Sequence, residues 1–441
     1  MSRARKSKSL PIVKPTPSAW QITKLVPGGR GFLKLPNGQG AFAAGTLPDE
    51  RIEVSAAEDH GGYLVATEWE LVESSPERVL PACPVQSACG GCDWMMLSYD
   101  AQIQAKRGML LEALERTGHF QALPEIAFVP AAQALRYRSR VRLHITEDGL
   151  TGYFAADSRR LVEIPACPVA DAELEAEFVV LRALASEHRA AWRQFRELEL
   201  RVAPLGPRLS LRLVPRDPSG RTEGTSLLVR ALATRYALTI GEKPLESAEE
   251  QRFPLPGEVY VRAPAAAFTQ VNWQVNQLLV AAVIEGVAQR GITSFCDLYC
   301  GAGNFSLPLL ARGLSGVGIE SASSSIAAAE RAATEQGFTR ARFVMGDVRE
   351  ALIQLPRSES FDLVLLDPPR AGAREVLAEI VARAPQFIAY CSCDPVTLAR
   401  DLRALCDAGY ALEGVTGFDM FPQTHHFESL AWLRHHSASS P

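Results

Sequence analysis

Four stretches of this chain combine residue types that do chemistry. The first, PACPVQSACGGCDW (81–94), places Cys83, Cys89 and Cys92 within ten residues. The spacing is C-x5-C-x2-C, and Gly90-Gly91 allow the tight turns that thiolates closing on one centre need. Cys167, in EIPACPVAD, repeats the local PACPV and is the natural fourth ligand. Four cysteinyl sulfurs suit tetrahedral zinc or an iron–sulfur cluster, and spacing leaves both open. Buried, unliganded thiols are the structural alternative. The second stretch is DLYCGAGNFS (297–306) and the third DPPR (367–370). In the fourth, IAYCSCDPVTLARDL, Cys393 follows an apolar run and precedes Asp394-Pro395. A thiol at a strand end, beside a ligand site, suggests a nucleophile, provided local charge favours the thiolate. Cys391, further inside the strand, reads as structural.

The elements that must hold these groups follow from periodicity. From residue ~264 apolar strands alternate with helices, the pattern of a doubly wound parallel sheet. VNWQVNQLLVAAVIEGV places Val275, Leu278, Leu279, Ala282, Val283 and Val287 on one helical face. In such sheets ligands lie at the carboxyl ends of the strands. Asp297, Tyr299, Gly301, Gly303 and Asn304 fall at the first such end. Glu320 ends the second strand, where a carboxylate can take both ribose hydroxyls, and Asp347 ends the third, placed to meet an adenine edge. Ser306 occupies the third glycine position of G-x-G-x-x-G, so the site fits S-adenosylmethionine better than a dinucleotide. Arg370 stands where enzymes methylating an amino group carry a base-stacking aromatic. Carbon 5 of uracil is too poor a nucleophile to take a methyl group unaided, and thiolate addition at carbon 6 makes it an enolate. Glu428, between Phe427 and Leu430, gains basicity if buried. His425 and His426 are the rival bases.

Upstream, residues 15–77 read as short strands with an Asn37-Gly38 hairpin signal, a small barrel of the OB type. A helical stretch at 99–117 follows, then a β-rich region over 125–262. There RYRSRVRLHI puts Arg136, Arg138, Arg140 and Arg142 on one face of a strand, either a phosphate-binding surface or a solvated one. The chain has 441 residues, formal net charge −4, and 47% hydrophobic and 22% charged residues. These values fit a globular protein of several domains that is not basic throughout. No apolar run approaches a membrane span, and the basic start MSRARKSKSLP lacks an apolar region behind it. The expected place is therefore the cytoplasm, with nine reduced cysteines.

Together, CPVQSACGGCDW with the later CPV, AFTQVNWQ, DLYCGAGNFSLPL, LLDPPR, YCSCDPVTLARDL and DMFPQTHHFESL resemble the RNA 5-methyluridine (uracil-C5) methyltransferases of the TrmA/RumA type. The barrel and the cysteines look most like the large-subunit (RlmD-like) rRNA branch, which carries an N-terminal TRAM domain. The resemblance implies an α/β Rossmann-like methyltransferase domain dependent on S-adenosylmethionine, with an N-terminal OB-like (TRAM) barrel and a β-rich central domain carrying an iron–sulfur cluster. Its domains would be a basic tail (1–14), the barrel (15–77), the central RNA-binding domain (78–98 and 125–262) and the methyltransferase domain (99–124 and 263–441). It implies a [4Fe–4S] cluster on Cys83, Cys89, Cys92 and Cys167. Gln270, Tyr299, Asn304, Glu320, Asp347 and Asp367 would line the cofactor and uracil site, with Cys393 as nucleophile and Glu428 as base. The implied partner is RNA, 23S rRNA in that branch, with no membrane and no obligate protein partner. Asp394 departs from the family's frequent Asn, and Cys391 from its frequent aliphatic residue. The alternatives are a tRNA 5-methyluridine enzyme, a 5-methylcytosine enzyme, which carries its nucleophile after the fourth strand, and a non-catalytic iron–sulfur RNA-binding protein.

Overall fold

The computed structural model describes residues 10–436 except 157, 221, 246–249 and 266. Residues 1–9, most of the expected basic tail, lie outside the described residues. The chain forms two compact units, one comprising residues up to Met109 with Gln423–His425 and the other Leu110–Pro422 with the residues from His426 onward.

The first unit is built on a β-barrel. Strands Gly31–Lys34 and Gly40–Ala43 pair antiparallel across the Asn37-Gly38 turn, with Gly38 at φ +87° and Asn37 Oδ1 accepting the Gln39 N–H at 3.0 Å. The sheet runs on through Tyr63–Glu73 to Arg51–Asp59. Residues 19–25 close it: Ala19–Gln21 pairs with Arg51–Asp59, and Lys24–Leu25 pairs with Gly31–Lys34. Alternation sends Ile52, Val54 and Ala57 inward beside Trp20, Leu33 and Leu64.

The segment 78–98 falls in this unit, whereas 125–262 falls in the other. Arg78 holds the buried Glu50 at 2.5 Å, and the fully buried Trp94 donates its indole N–H to the Gly29 carbonyl at 3.1 Å. The helix Tyr99–Arg116, assigned from sequence to the methyltransferase domain, divides at Met109. Its first half carries the buried Gln102, whose amide donates to Gln423 Oε1 at 3.1 Å and accepts the Gln423 N–H at 2.9 Å.

The second unit contains two large sheets. One has seven strands, antiparallel except where Leu209–Pro215 runs parallel to Ala237–Ile240. The arginine strand lies here but spans only Arg140–Ile145, because Arg136 sits at φ +57°. Alternation holds, with Val141, Leu143 and Ile145 buried. The arginines have internal partners, however: Arg136 meets Glu175 at 3.4 Å, Arg140 meets Glu199 at 3.8 Å, and Arg142 meets Glu197 and Glu199 at 3.5 and 3.3 Å. Burial, first among the causes, holds the Arg140 guanidinium down to about 10. The expected open phosphate-binding face is thus largely compensated by carboxylates.

The other sheet has eight strands, in the order Ala341–Met345, Ser315–Glu320, Ser294–Leu298, Leu363–Leu366, Phe387–Ser392, Glu428–His435, Tyr410–Phe418 and Ala127–Val129. The first five are mutually parallel, and Glu428–His435 runs antiparallel between its neighbours. The edge strand Ala127–Val129 joins this sheet although its sequence position had placed it in the central domain. Helix Trp273–Gln289 packs largely by the expected face, with Val275, Leu279, Val283 and Val287 buried; Asn276, Val280 and Ile284 are buried beside them, while Leu278 is 44% exposed. Among the described residues no helix is long and apolar enough to cross a membrane.

Candidate active site

Several of the residues expected to meet a ligand lie at the carboxyl ends of the parallel strands. The strand Ser294–Leu298 leads into a turn with Tyr299 at φ +65°, Gly301 at +54° and Gly303 at +91°. A side chain at Gly303 would meet Leu307 Cγ at 2.9 Å, whereas one at Gly301 would meet nothing within 4 Å. Gly301 is therefore where a ligand can approach the backbone. Its N–H donates to Glu320 Oε2 at 3.2 Å, and Glu320 Oε1 accepts the Ala322 N–H at 2.8 Å. The carboxylate ending the second strand is thus aimed back at the glycine turn. Asp347 caps helix Val348–Gln354 by accepting the Glu350 N–H at 3.0 Å. Gln270 is buried in the segment leading to helix Trp273–Gln289.

Two further residues complete this end: Asp297, expected at this strand end, and Asn276, which was not. Asp297 is fully buried, accepts the Ser306 hydroxyl at 2.5 Å, and has no hydrogen-bond partner for Oδ1 among the described residues. Burial pushes its carboxyl up to about 7. Asn276 exchanges two hydrogen bonds with Asn304, at 2.8 and 3.0 Å, which fix the orientation of the Asn304 amide. Its sequence signal was a polar residue on the apolar side of an amphipathic helix.

The second half of the site comes from strand register. Strands Phe387–Ser392 and Glu428–His435 are antiparallel, with Ser392 opposite Ser429 and Cys391 opposite Leu430. Cys393 follows the last residue of the first of these strands, and Glu428 begins the other, close enough for its charge to act on the Cys393 thiol. Asp367 follows strand Leu363–Leu366, the parallel neighbour of Phe387–Ser392. Three groups from three chain segments therefore meet at one end of the sheet. Glu428 is 5% exposed, and burial, then Asp367, push its carboxyl well above the ordinary range, while Arg370 opposes them. Burial also lifts Asp367, to about 6.

Cys393 immediately precedes Asp394, which caps helix Pro395–Asp407 by accepting the Val396 and Thr397 N–H groups at 3.0 and 2.9 Å. A helix N-terminus favours a thiolate. The balance nonetheless goes against the expected activation. Burial first, then Glu428, push the thiol up to about 12, and Arg370 is the cation working the other way. Arg370 is held at its carbonyl by Thr397 Oγ1 at 3.2 Å, and its guanidinium donates to His426 Nε2 at 3.0 Å. Asp401 secures the following turn by accepting the Ala373 N–H at 2.8 Å and the Tyr390 hydroxyl at 2.7 Å. Cys391 is buried in the apolar core, as expected of a structural cysteine. His425, the other rival base, belongs to the first unit, where its ring and N–H engage Asp93.

Cys83, Cys89 and Cys92 lie on an irregular loop of the first unit folded around Gln86, whose N–H donates to the Cys83 carbonyl at 3.3 Å and whose amide donates to the Cys92 carbonyl at 3.2 Å. Cys167, in the second unit, is buried, and burial raises its thiol. Three soft donors on one glycine-bearing loop suit a thiophilic metal. Among the described residues, however, no group of three or more His, Cys, Asp or Glu side chains is gathered as a ligand set.

Comparison with known proteins adds to this geometry. The family model described as tRNA (Uracil-5-)-methyltransferase matches residues 250–436. An uncharacterised RNA methyltransferase of Gloeobacter violaceus is 33% identical over 93% of this chain and 95% of its own length. The 23S rRNA (uracil(1939)-C(5))-methyltransferase RlmD of Pectobacterium carotovorum is 34% identical over 94% of this chain and 93% of its own. The structure of the Pyrococcus abyssi tRNA (uracil-54, C5)-methyltransferase, in complex with S-adenosyl-L-homocysteine, superposes with a TM-score of 0.74 and 26% identity, covering 94% of this chain and 100% of that one.

Proposed function

The chain belongs to the RNA uracil-C5 methyltransferase family and is an S-adenosylmethionine-dependent enzyme; from that premise we propose that it methylates carbon 5 of a uridine in 23S rRNA through covalent addition of Cys393 to uracil C6. The nearness of Cys393, after the end of one strand, to Glu428, at the start of its antiparallel neighbour, supports this reading. The rRNA relative is 34% identical and the tRNA enzyme of known structure 26%, which favours rRNA. Incubating the protein with labelled methyl donor and total RNA should put label into 5-methyluridine of 23S rRNA. Labelled 5-methylcytidine, label in tRNA, or no label overturns the reading.

The residues divide the work as follows. Glu320, Asp347, Tyr299, Asn304 and Gln270 hold the methyl donor, supported by the open approach at Gly301 and by the Glu320 carboxylate beside it. The donor supplies an electrophilic methyl group. Cys393 releases its thiol proton to solvent, and the resulting thiolate sulfur bonds C6, so that the electrons of the C5–C6 double bond move onto C5 and O4 of the uracil. C5 then takes the methyl group. Glu428 accepts the remaining C5 proton, and the electrons of that C–H bond restore the C5–C6 double bond as the S–C6 bond breaks. Asp367 borders this step. Asn276 acts through Asn304, so Asn276→Leu should raise the KM for the donor about tenfold with little change in kcat, as loss of hydrogen bonds carrying about 0.5–1.5 kcal/mol each implies. Steady-state kinetics beside a melting curve checks this.

The barrel reads best as a TRAM domain, and the protein as cytoplasmic. Cys83, Cys89, Cys92 and Cys167 are the proposed holders of a [4Fe–4S] cluster, supported by their thiol chemistry and the turn at Gln86. The cluster would organise the fold and takes part in no step above. Anaerobically purified protein should be brown and contain iron and sulfide in cluster proportion, and Ser at any of the four cysteines should bleach it. Colourless protein carrying one zinc removes the assignment.

A further inference from the structure

Helix Pro395–Asp407 starts two residues after Cys393 and grips the turn that follows strand Leu363–Leu366. Thr397, Arg400 and Asp401 stand at i, i+3 and i+4, on one face of that helix. Each takes a different backbone group of the turn. Thr397 Oγ1 donates to the Arg370 carbonyl at 3.2 Å, Arg400 Nη2 donates to the Ala371 carbonyl at 3.0 Å, and Asp401 Oδ2 accepts the Ala373 N–H at 2.8 Å. The turn also closes on itself, the Gly372 N–H donating to the Pro369 carbonyl at 2.9 Å. Gly372, at φ +81°, allows this approach: a Cβ there would fall 2.5 Å from both Arg400 Nη2 and Asp401 Oδ2. Asp401 further engages the strand that leads to Cys393, since Tyr390 donates its hydroxyl to Oδ2 at 2.7 Å. Its other oxygen accepts Arg400 Nε at 2.8 Å. Arg370 is thus held at its carbonyl, while its guanidinium reaches His426 at 3.0 Å.

Packing alone does not call for this arrangement. Asp401 is 1% exposed, and apolar replacement of a buried ion pair is often neutral or stabilising. A buried carboxylate with both oxygens filled instead fixes where its neighbours stand. We propose that Thr397, Arg400 and Asp401 are positioning residues for the covalent addition, holding the turn so that Arg370 stays where it favours the Cys393 thiolate. The charges that bear most on that thiol are Glu428 from the neighbouring strand, Arg370 and Asp367 from the turn, and Asp394 from the helix cap. Arg370 is the cation among them, and the titratable His426 adjoins its guanidinium. The inference rests on Cys393 being the nucleophile.

The test treats the full chain, free of RNA, with iodoacetamide between about pH 7 and 9, where only the thiolate reacts. Peptide mass spectrometry reads the rate at Cys393. Asp401→Leu should slow that alkylation about tenfold across the range, as a tenfold smaller thiolate fraction would. Arg370→Gln should slow it as much. Adding Asp401→Leu to Arg370→Gln should slow it no further, because the two act through one group. Thr397→Val keeps the shape but loses the hydroxyl, and should slow alkylation about threefold, the scale of one hydrogen bond, while Thr397→Ser should restore the parent rate. Melting curves accompany every variant. A purely structural clamp would lower the melting temperature and leave the Cys393 rate where it was, or would slow the Arg370→Gln protein by the same factor again; either result overturns the proposal. Should Asp401→Leu melt early, the pair Thr397→Val and Thr397→Ser decides. Methyl transfer to total RNA by the unaltered protein is run alongside. Its failure removes the functional reading, whereas normal alkylation in the variants removes the clamp alone.

Discussion

Glu428→Gln should stop turnover after methyl transfer and leave a methylated RNA bound to Cys393. Glutamine keeps the size and hydrogen-bonding capacity of the side chain but is a very poor base. Addition and methyl transfer precede any demand for a base at C5, so both should proceed. Elimination needs the C5 proton removed first, so the S–C6 bond persists. The adduct should survive denaturing electrophoresis and carry label from the donor. Steady-state turnover should fall by about 10²–10⁴, the usual contribution of a positioned acid or base. The raised carboxyl of Glu428 makes it suited to the task, because a base of ordinary strength would be too weak to hold the C5 proton. Normal turnover without adduct would pass the role to His426, which lies within the same unit and accepts a hydrogen bond from Arg370.

Much of this site was legible because its parts sit at strand ends, and strand ends follow from apolar runs punctuated by glycine or proline. DLYCGAGNFS, LLDPPR and YCSCDP each mark such an end, and the parallel sheet order then collects them. Distances between segments far apart in sequence were not legible. That Cys393 lies near Glu428 depends on an antiparallel register between strands separated by helix Pro395–Asp407 and strand Tyr410–Phe418, and no local pattern specifies it. Two positions of helix Trp273–Gln289 depart from the expected pattern for a related reason. Leu278 is apolar but exposed, and Asn276 is polar but buried, because the Asn304 amide satisfies it. Binary patterning has no means of anticipating a polar pair that closes only after folding.

The arginine strand shows the same limit in electrostatics. Its alternation could be read directly, but its charge could not, since Glu197 and Glu199 arrive from the neighbouring strand and neutralise it. Which sheet a segment joins was not legible either. The segment 78–98 lies beside the barrel in sequence and is fastened to it through Glu50 and Gly29, whereas Ala127–Val129 crosses to the edge of the large sheet.

Cys393→Ala should give neither product nor adduct, and the double variant with Glu428→Gln should match it, because elimination cannot stall before addition occurs. The state of the thiol adds a sharper expectation. With the group pushed up to about 12, only a small fraction is thiolate at neutral pH. Below a pKa the ionised fraction grows about tenfold per pH unit, so the single-turnover rate of adduct formation should climb steadily between about pH 6 and 9. Neighbouring charges move that profile in opposite senses. Glu428 raises the thiol, so Glu428→Gln should form its adduct faster at a given pH than the parent adds to RNA. Arg370 lowers it, so Arg370→Gln should be slower at every pH and should gain most from alkali. Rapid-quench measurement of protein-bound RNA reads all three. A flat profile in the parent would mean that the bound RNA or donor had already displaced the proton, and that the free enzyme's burial of Cys393 does not govern addition.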